Sequence, residues 1–228
     1  FHLFSESTKP IPEAAMKGLK KGMRLNLSQS TFREIYQTEP ESFSVTLPLS
    51  ATESKTLTFY KTQVVSDDFK VTTSDGRELK GKEYSGIHYQ INPKNQSEKV
   101  GTISFGKTEV MGIFSDETGN WNLGILPETN GDYILYNERD LKVASQFHCE
   151  TEDTKAEDHD HEKGPGVDKS VQTTGCKTVK MYFECDYRMY TDNGSNTSNV
   201  TTKVTGMFNN VKQLYANEQL DVELSQIF

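Results

Sequence analysis

From Arg24 onward, apolar residues alternate with small polar ones at the period of a half-buried strand: Leu25 and Leu27 around Asn26, then Phe43, Val45, Leu47 and Leu49. Pro48 interrupts the second run, and because proline cannot donate to a ladder it marks an edge position or a strand end. Further short strands are expected at Leu57–Val65, at Phe69–Val71, and then in close succession at Ile87–Tyr89, Thr102–Phe105, Val110–Phe114, Trp121–Leu126 and Tyr133–Tyr136. Turn residues separate them. The Asp75-Gly76 pair is the strongest hairpin signal of the set. Many short strands at near-regular spacing predict a mainly β fold, an antiparallel sandwich or barrel. Ahead of them, Glu13–Lys17 ends at Gly18 and leaves a single helical turn and an irregular lead-in equally open.

The period changes near the end of the chain. Val179, Met181, Phe183 and Cys185 alternate with Lys180, Tyr182 and Glu184, which predicts a strand. Val200, Val204, Met207, Phe208, Val211, Leu214 and Tyr215 recur at helical spacing, with Ser198 or Asn199 available as N-cap. Leu220, Val222 and Leu224 alternate again. Strand, helix, strand is the order of a right-handed crossover.

Composition divides these two patterns. Between Glu150 and Lys169 lie eight acidic and three basic residues, so this stretch carries much of the net charge of −8. Residues 150–175 hold almost no bulky apolar side chains and include Gly164-Pro165-Gly166. Such a segment buries too little surface to offset its ordering entropy and is expected to be an acidic, flexible linker. The chain therefore reads as a β-rich unit over 1–149, a linker over 150–175, and an α/β piece over 176–228. Lys17, Lys20, Lys21 and Arg24 form only a small solvated cluster, which argues against a nucleic-acid partner. No run approaches the roughly 18 apolar residues of a membrane span. The chain starts at Phe1 without an apolar leader, so any export signal is expected upstream.

Candidate chemistry is sparse. The three cysteines, Cys149, Cys176 and Cys185, permit at most one intrachain disulfide. On one strand, Cys176 and Cys185 would stand roughly 30 Å apart, beyond disulfide reach. His159-Asp160-His161 lies on the acidic linker without a preorganised ligand set, and His2 and His88 are isolated. No Gly-x-Ser-x-Gly elbow, phosphate-cradling loop or His-Glu-x-x-His segment occurs. The sequons beginning at Asn193, Asn196 and Asn199 read as a polar turn ahead of the helix.

The segment Cys176-Lys177-Thr178-Val179-Lys180-Met181-Tyr182-Phe183-Glu184-Cys185-Asp186-Tyr187, followed by Val211-Lys212-Gln213-Leu214-Tyr215 and Val222-Glu223-Leu224, resembles the first strand, helix and second strand of reprolysin-like (adamalysin-type) metzincin zinc proteases. It looks closest to the secreted bacterial members. Tyr84-Ser85-Gly86-Ile87-His88-Tyr89-Gln90, Gly101–Phe105 and the run from Gly112 to Leu126 resemble the propeptide of that family. The resemblance implies a propeptide that assists folding and enforces latency, joined to the opening of a catalytic domain, in a secreted or cell-surface zymogen. Its partners would be its own catalytic domain and, for the parent enzyme, protein or peptide substrates. The parent would carry zinc. This chain, lacking the His-Glu-x-x-His helix, is expected to hold none stably and to be inactive.

Within that resemblance Cys149 is the one candidate site residue, an inhibitory ligand whose thiolate would occupy the open position on zinc and displace the nucleophilic water. Its surroundings, Phe147-His148-Cys149-Glu150, depart from the Pro-Lys-Met-Cys-Gly-Val pattern of animal members, and a buried thiol or a disulfide partner are the alternatives. The competing reading of the whole chain is a non-enzymatic extracellular β-sandwich binding or adhesion module.

Overall fold

A computed structural model describes residues 1–80, 85–91, 100–142 and 178–228. The architecture is mainly β, as the alternation predicts. The larger of two sheets contains nine antiparallel strands: β1 (Phe4–Glu6), β2 (Met23–Leu27), β3 (Ser42–Pro48), β4 (Ser54–Thr62), β7 (Ile87–Gln90), β8 (Gly101–Phe105), β9 (Val110–Asp116), β10 (Gly119–Ile125) and β11 (Tyr133–Asn137). Their order is β1-β2-β11-β10-β9-β8-β7-β4-β3. The sheet curls into a nearly closed barrel. Its two ends meet where the Phe1 ammonium donates to Ser44 O at 2.6 Å and the Phe1 ring stands edge-on to Phe43. Pro48 is the last residue of β3, itself the last strand of the sheet, so its missing N–H costs no ladder bond.

Period-2 alternation sends Leu25, Phe43, Val45, Phe59, Tyr89, Ile103, Phe105, Phe114, Leu123, Tyr133 and Leu135 into one interior. Aromatic rings dominate it: Phe43 lies 4.7 Å from Tyr89 and 5.9 Å from Phe59 and Phe105. The pairs with Tyr89 and Phe105 are edge-to-face, an arrangement that adds about 0.5–1.5 kcal/mol each beyond area burial. Trp121 stacks on Phe114 at 6.0 Å, a core-facing place for the single tryptophan. One helix lies outside the strand pattern read from the sequence. Helix α2 (Gln29–Thr38) is capped by Ser28, whose Oγ accepts from Thr31 N, and it drops Phe32 and Ile35 into the barrel core. The single turn α1 (Glu13–Met16) does form, and with Ile11 and Leu19 it covers Leu126 and Ile134 on the outside of the barrel. Arg24 leaves the solvated basic cluster: it bonds Asp132 through both Nε and Nη2, and both side chains are nearly buried.

The second sheet has four strands, β12 (Thr178–Phe183), β13 (Asp221–Ile227), β5 (Val65–Thr72) and β6 (Glu78–Lys80), in that order. The expected strand-helix-strand is present: β12, the short α3 (Tyr187–Asp192), the long α4 (Thr197–Asn217) and then β13 parallel to β12. Asn196 caps α4, two and three positions ahead of Ser198 and Asn199, and accepts from the N–H groups of both. The hairpin turn at Asp75-Gly76 joins β5 to β6, with Gly76 at φ +80°. The sequence gives no sign of the next feature. Strand β5, from the N-terminal unit, pairs in parallel with β13, so the tail does not stand alone but completes its sheet with a hairpin of the β unit. Strand β12 has no neighbour on its outer side among the described residues. No helix there is long and apolar enough to cross a membrane.

Candidate functional site

Helix α4 is the joint between the two sheets, and it carries two buried faces of opposite chemistry. Val200, Val204 and Phe208 recur at helical spacing and pack on Val65, Phe69, Val71, Val222, Leu224 and Ile227 of the small sheet. Rotated by about 100°, Thr201, Thr205, Asn209 and Gln213 form a second stripe at i, i+4, and all four are buried. This polar stripe faces the outer surface of β7 and β8. There the strand alternation supplies a matching polar row, because Ile87, Tyr89, Ile103 and Phe105 point into the barrel while His88, Gln90, Thr102 and Ser104 point out. A polar row buried against a polar row is stable only when nearly every group is paired.

The pairing is dense. Gln90 Nε2 donates to Asn209 Oδ1 at 3.0 Å and to Asn209 O at 3.2 Å. Asn209 Nδ2 donates to Ser104 Oγ at 3.0 Å and to Tyr89 O at 3.2 Å. Gly101 N donates to Gln213 Oε1 at 2.8 Å, and Gln213 Nε2 returns a bond to Ile91 O at 3.0 Å. Thr205 Oγ1 donates to Ser85 O at 2.6 Å, and Thr102 Oγ1 to Asn210 Oδ1. The helix comes this close because Gly206 lies against β9, where a Cβ would stand 2.3 Å from Met111 Sδ.

Among the described residues, His88 is the only titratable side chain in the seam, and its partners fix its state. Nε2 lies 2.7 Å from Ser85 O, which can only accept, so Nε2 carries the proton. Nδ1 then accepts from Ser104 Oγ at 2.9 Å. Burial lowers the imidazole from 6.5 to about 4, outweighing the opposing bond to Ser85. A hydroxyl on an imidazole is also the core of a nucleophilic hydrolase. Here the second ring nitrogen meets a backbone carbonyl rather than a carboxylate, and α4 roofs a pair that is only 4–5% exposed. There is no room for a substrate. The arrangement holds two structural units together.

A second feature sits where the parallel strands β5, β12 and β13 end. A half-open recess of about 370 Å³ is lined there by Thr73, Arg77, Cys185, Tyr187, Tyr190 and Phe228, among others. Its polar wall is internally satisfied, since Asp75 takes Arg77 Nε at 2.6 Å and Thr73 Oγ1 at 2.5 Å. Burial pushes the Cys185 thiol up, and the neighbouring Asp186 carboxylate adds to the shift, so Cys185 is a poor thiolate nucleophile or ligand.

Cys149, the inhibitory ligand expected from the resemblance, lies outside the described residues, as do Cys176, His148, His159 and His161. Among the described residues no three His, Cys, Asp or Glu side chains converge as a metal site. The described residues therefore do not by themselves assemble a zinc site. His88, isolated along the sequence, is at the centre of the seam. The signal for it was the alternation of His88 and Gln90 with Ile87 and Tyr89, together with uncharged polar residues at every fourth position of α4. The sequence matches no protein-family profile, and no curated protein matches it.

Proposed function

We propose that residues 1–149 form the folding aid and latency region of a secreted zinc metalloendopeptidase zymogen, and that residues 176–228 are the opening of its catalytic domain. The observation that supports this reading most is the seam. It joins the barrel part of the propeptide-like stretch to the protease-like one through neutral hydrogen bonds, and the apolar core between the two stretches is confined to the β5–β6 hairpin. Interfaces that must later part are more polar than permanent ones. The β5–β6 hairpin deepens the same logic. By pairing with β13 it supplies a strand neighbour and apolar cover to a short α/β piece, which is what a folding aid has to provide before the rest of a sheet is in place.

In this reading Cys149 caps the metal of the parent enzyme, and cleavage within 150–175 releases it. The test is to read the coding sequence beyond Phe228 and express the continuous chain. A His-Glu-x-x-His segment, with zinc-dependent endopeptidase activity that appears on cleavage of the linker, supports the proposal. Cys149→Ser should raise the activity of the uncleaved, zinc-loaded chain. A continuation without the motif would overturn the reading and leave the barrel as a binding module. Equal latency of Cys149→Ser and parent would remove Cys149 alone from the mechanism.

A further inference from the structure

Among the described residues, the seam has one side chain, His88, whose charge changes under mildly acidic conditions, and no carboxylate beside it to accommodate the charge. On β8, His88 faces Ser104 and Thr102; on α4, Thr201, Thr205 and Asn209; on β4, its register partner is Thr62. The charged side chains of these elements are engaged elsewhere. Lys61 pairs with Glu39 and Lys212 with Asp221, while Lys203 lines the groove on the opposite flank of α4, over β9–β11. No carboxylate faces the ring among the described residues. Protonating Nδ1 would also remove the acceptor for the Ser104 hydroxyl, whose oxygen already takes Asn209 Nδ2. One proton therefore strands a cation and unsettles the bond pattern of the central asparagine.

On the other side of α4 the described residues include no such group. Val200, Val204 and Phe208 hold it to the small sheet through contacts indifferent to pH. We propose that the seam is an acid-released latch: protonation of His88 undocks α4 from β7 and β8, and α4 leaves together with β12, β13, β5 and β6 while the barrel stays folded. Thr62 to Val65 is the short connection that leads from the barrel into β5 and would serve as the hinge. The inference stands on the seam geometry and does not require the protease reading; it can succeed or fail with any activity downstream. If both hold, acid would free the enzyme piece from the barrel of the propeptide, with the β5–β6 hairpin still paired to it, before or alongside linker cleavage.

The experiment follows backbone amides of the intact chain by hydrogen exchange, corrected for intrinsic rates, between pH 7.5 and 4.5. With the ring at about 4 when docked and 6.5 when free, the undocked fraction should rise on the order of fiftyfold to a hundredfold over this range. Protection should fall by that factor in α4 and be retained by Leu25 and Leu135 in the barrel. The ring resonance of His88 should titrate well below that of a free histidine. Thr62→Asp, at a half-exposed position opposite His88, supplies a counter-charge and should cut the acid loss at least tenfold without touching the seam bonds. His88→Gln should abolish the acid step. Loss of protection in α4 and barrel together at one pH would overturn the latch, as would an acid loss that is the same in the parent and Thr62→Asp. Should His88→Gln fail to fold, the parent profile and Thr62→Asp decide the matter.

Discussion

The two faces of β7 and β8 are a controlled comparison within one molecule. Inside, Ile87, Tyr89, Ile103 and Phe105 meet other apolar side chains; outside, one residue away each time, His88, Gln90, Thr102 and Ser104 meet the polar stripe of α4. The same backbone and the same burial produce two kinds of adhesion. Apolar burial is strong and tolerant of orientation, at roughly 25 cal/mol per Å². A buried hydrogen-bonded row adds only about 1 kcal/mol per bond net, yet each bond fixes register and each broken one leaves a desolvated group behind. The interior makes the barrel. The exterior decides where α4 sits on it, and on what terms it can leave.

The largest expected effect tests the interior. Phe105 is fully buried with its ring near Phe32, Phe43 and Tyr89. Phe105→Ala should cost about 3–5 kcal/mol in chemical denaturation, with the barrel lost as a whole. A loss below about 1 kcal/mol would mean that the interior is not close-packed and would break the comparison.

Next in size is a pH dependence that belongs to the exterior alone. The folded His88 lies near 4 against 6.5 for the ordinary group, so protons favour the undocked or unfolded state. The stability it supports is fully present above pH 6.5 and is lost as pH falls from 6.5 towards 4, roughly 3 kcal/mol in all. Asp116 works in a lower window. Burial pushes its carboxyl up, but bonds from Thr118 and Lys55 outweigh that and hold it at about 2. Its contribution is present above the ordinary 3.8 and fades as pH falls towards 2. Unfolding midpoints measured from pH 7 to 3 should therefore show an early slope that His88→Gln removes and a later one that it leaves.

Much of the barrel was legible because its alternation is local. Phe43 to Leu49 or Tyr133 to Tyr136 announce a strand without reference to anything distant. The Asp75-Gly76 turn and the strand-helix-strand at the end were legible for the same reason. Helix α2 was not, because Phe32, Ile35 and Tyr36 give it only a short apolar stripe between two stronger β patterns. The pairing of β5 with β13 joins residues more than 150 positions apart and has no local signature. The seam was hidden by a further ambiguity. Thr201, Thr205, Asn209 and Gln213 would suit a solvated helix face as well as a buried one, and only a partner row at the right place makes them buried. A polar stripe without charge is the one hint that solvent is not its destination.

The central asparagine measures how much that row contributes. Asn209→Ala leaves Gln90 Nε2 only the backbone carbonyl of residue 209 and leaves Tyr89 O and Ser104 Oγ without its amide. About 2 kcal/mol should be lost, by the usual cost of unpaired buried groups. The sharper readout is where the loss appears. Exchange protection should fall in α4 and its small sheet first, whereas Phe105→Ala lowers protection throughout. Equal losses everywhere would mean that the seam and the interior are one cooperative unit, and the distinction drawn from the two faces of β7 would not survive.

The smallest effect runs in the opposite direction. Tyr89 is the one large interior side chain of β7 that carries a polar atom, and its hydroxyl is fully buried with no hydrogen-bond partner among the described residues. Desolvation raises its pKa strongly, with the Glu39 and Glu41 carboxylates adding to the shift, so it stays a neutral phenol throughout the working range. Tyr133, buried in the same interior, has a partner: Tyr133 Oη accepts from Val110 N at 3.0 Å. The comparison sets two substitutions of the same kind against each other. Tyr89→Phe removes an unsatisfied hydroxyl while keeping the ring against Phe43 and Phe105, and should be neutral or stabilising by about 1 kcal/mol. Tyr133→Phe removes a hydroxyl that satisfies a strand N–H and should destabilise by about 1 kcal/mol. Matched thermal melts of the two variants measure the difference. If Tyr89→Phe proves the more damaging, the hydroxyl has a partner inside the barrel, and the interior is less purely apolar than its contrast with the seam requires.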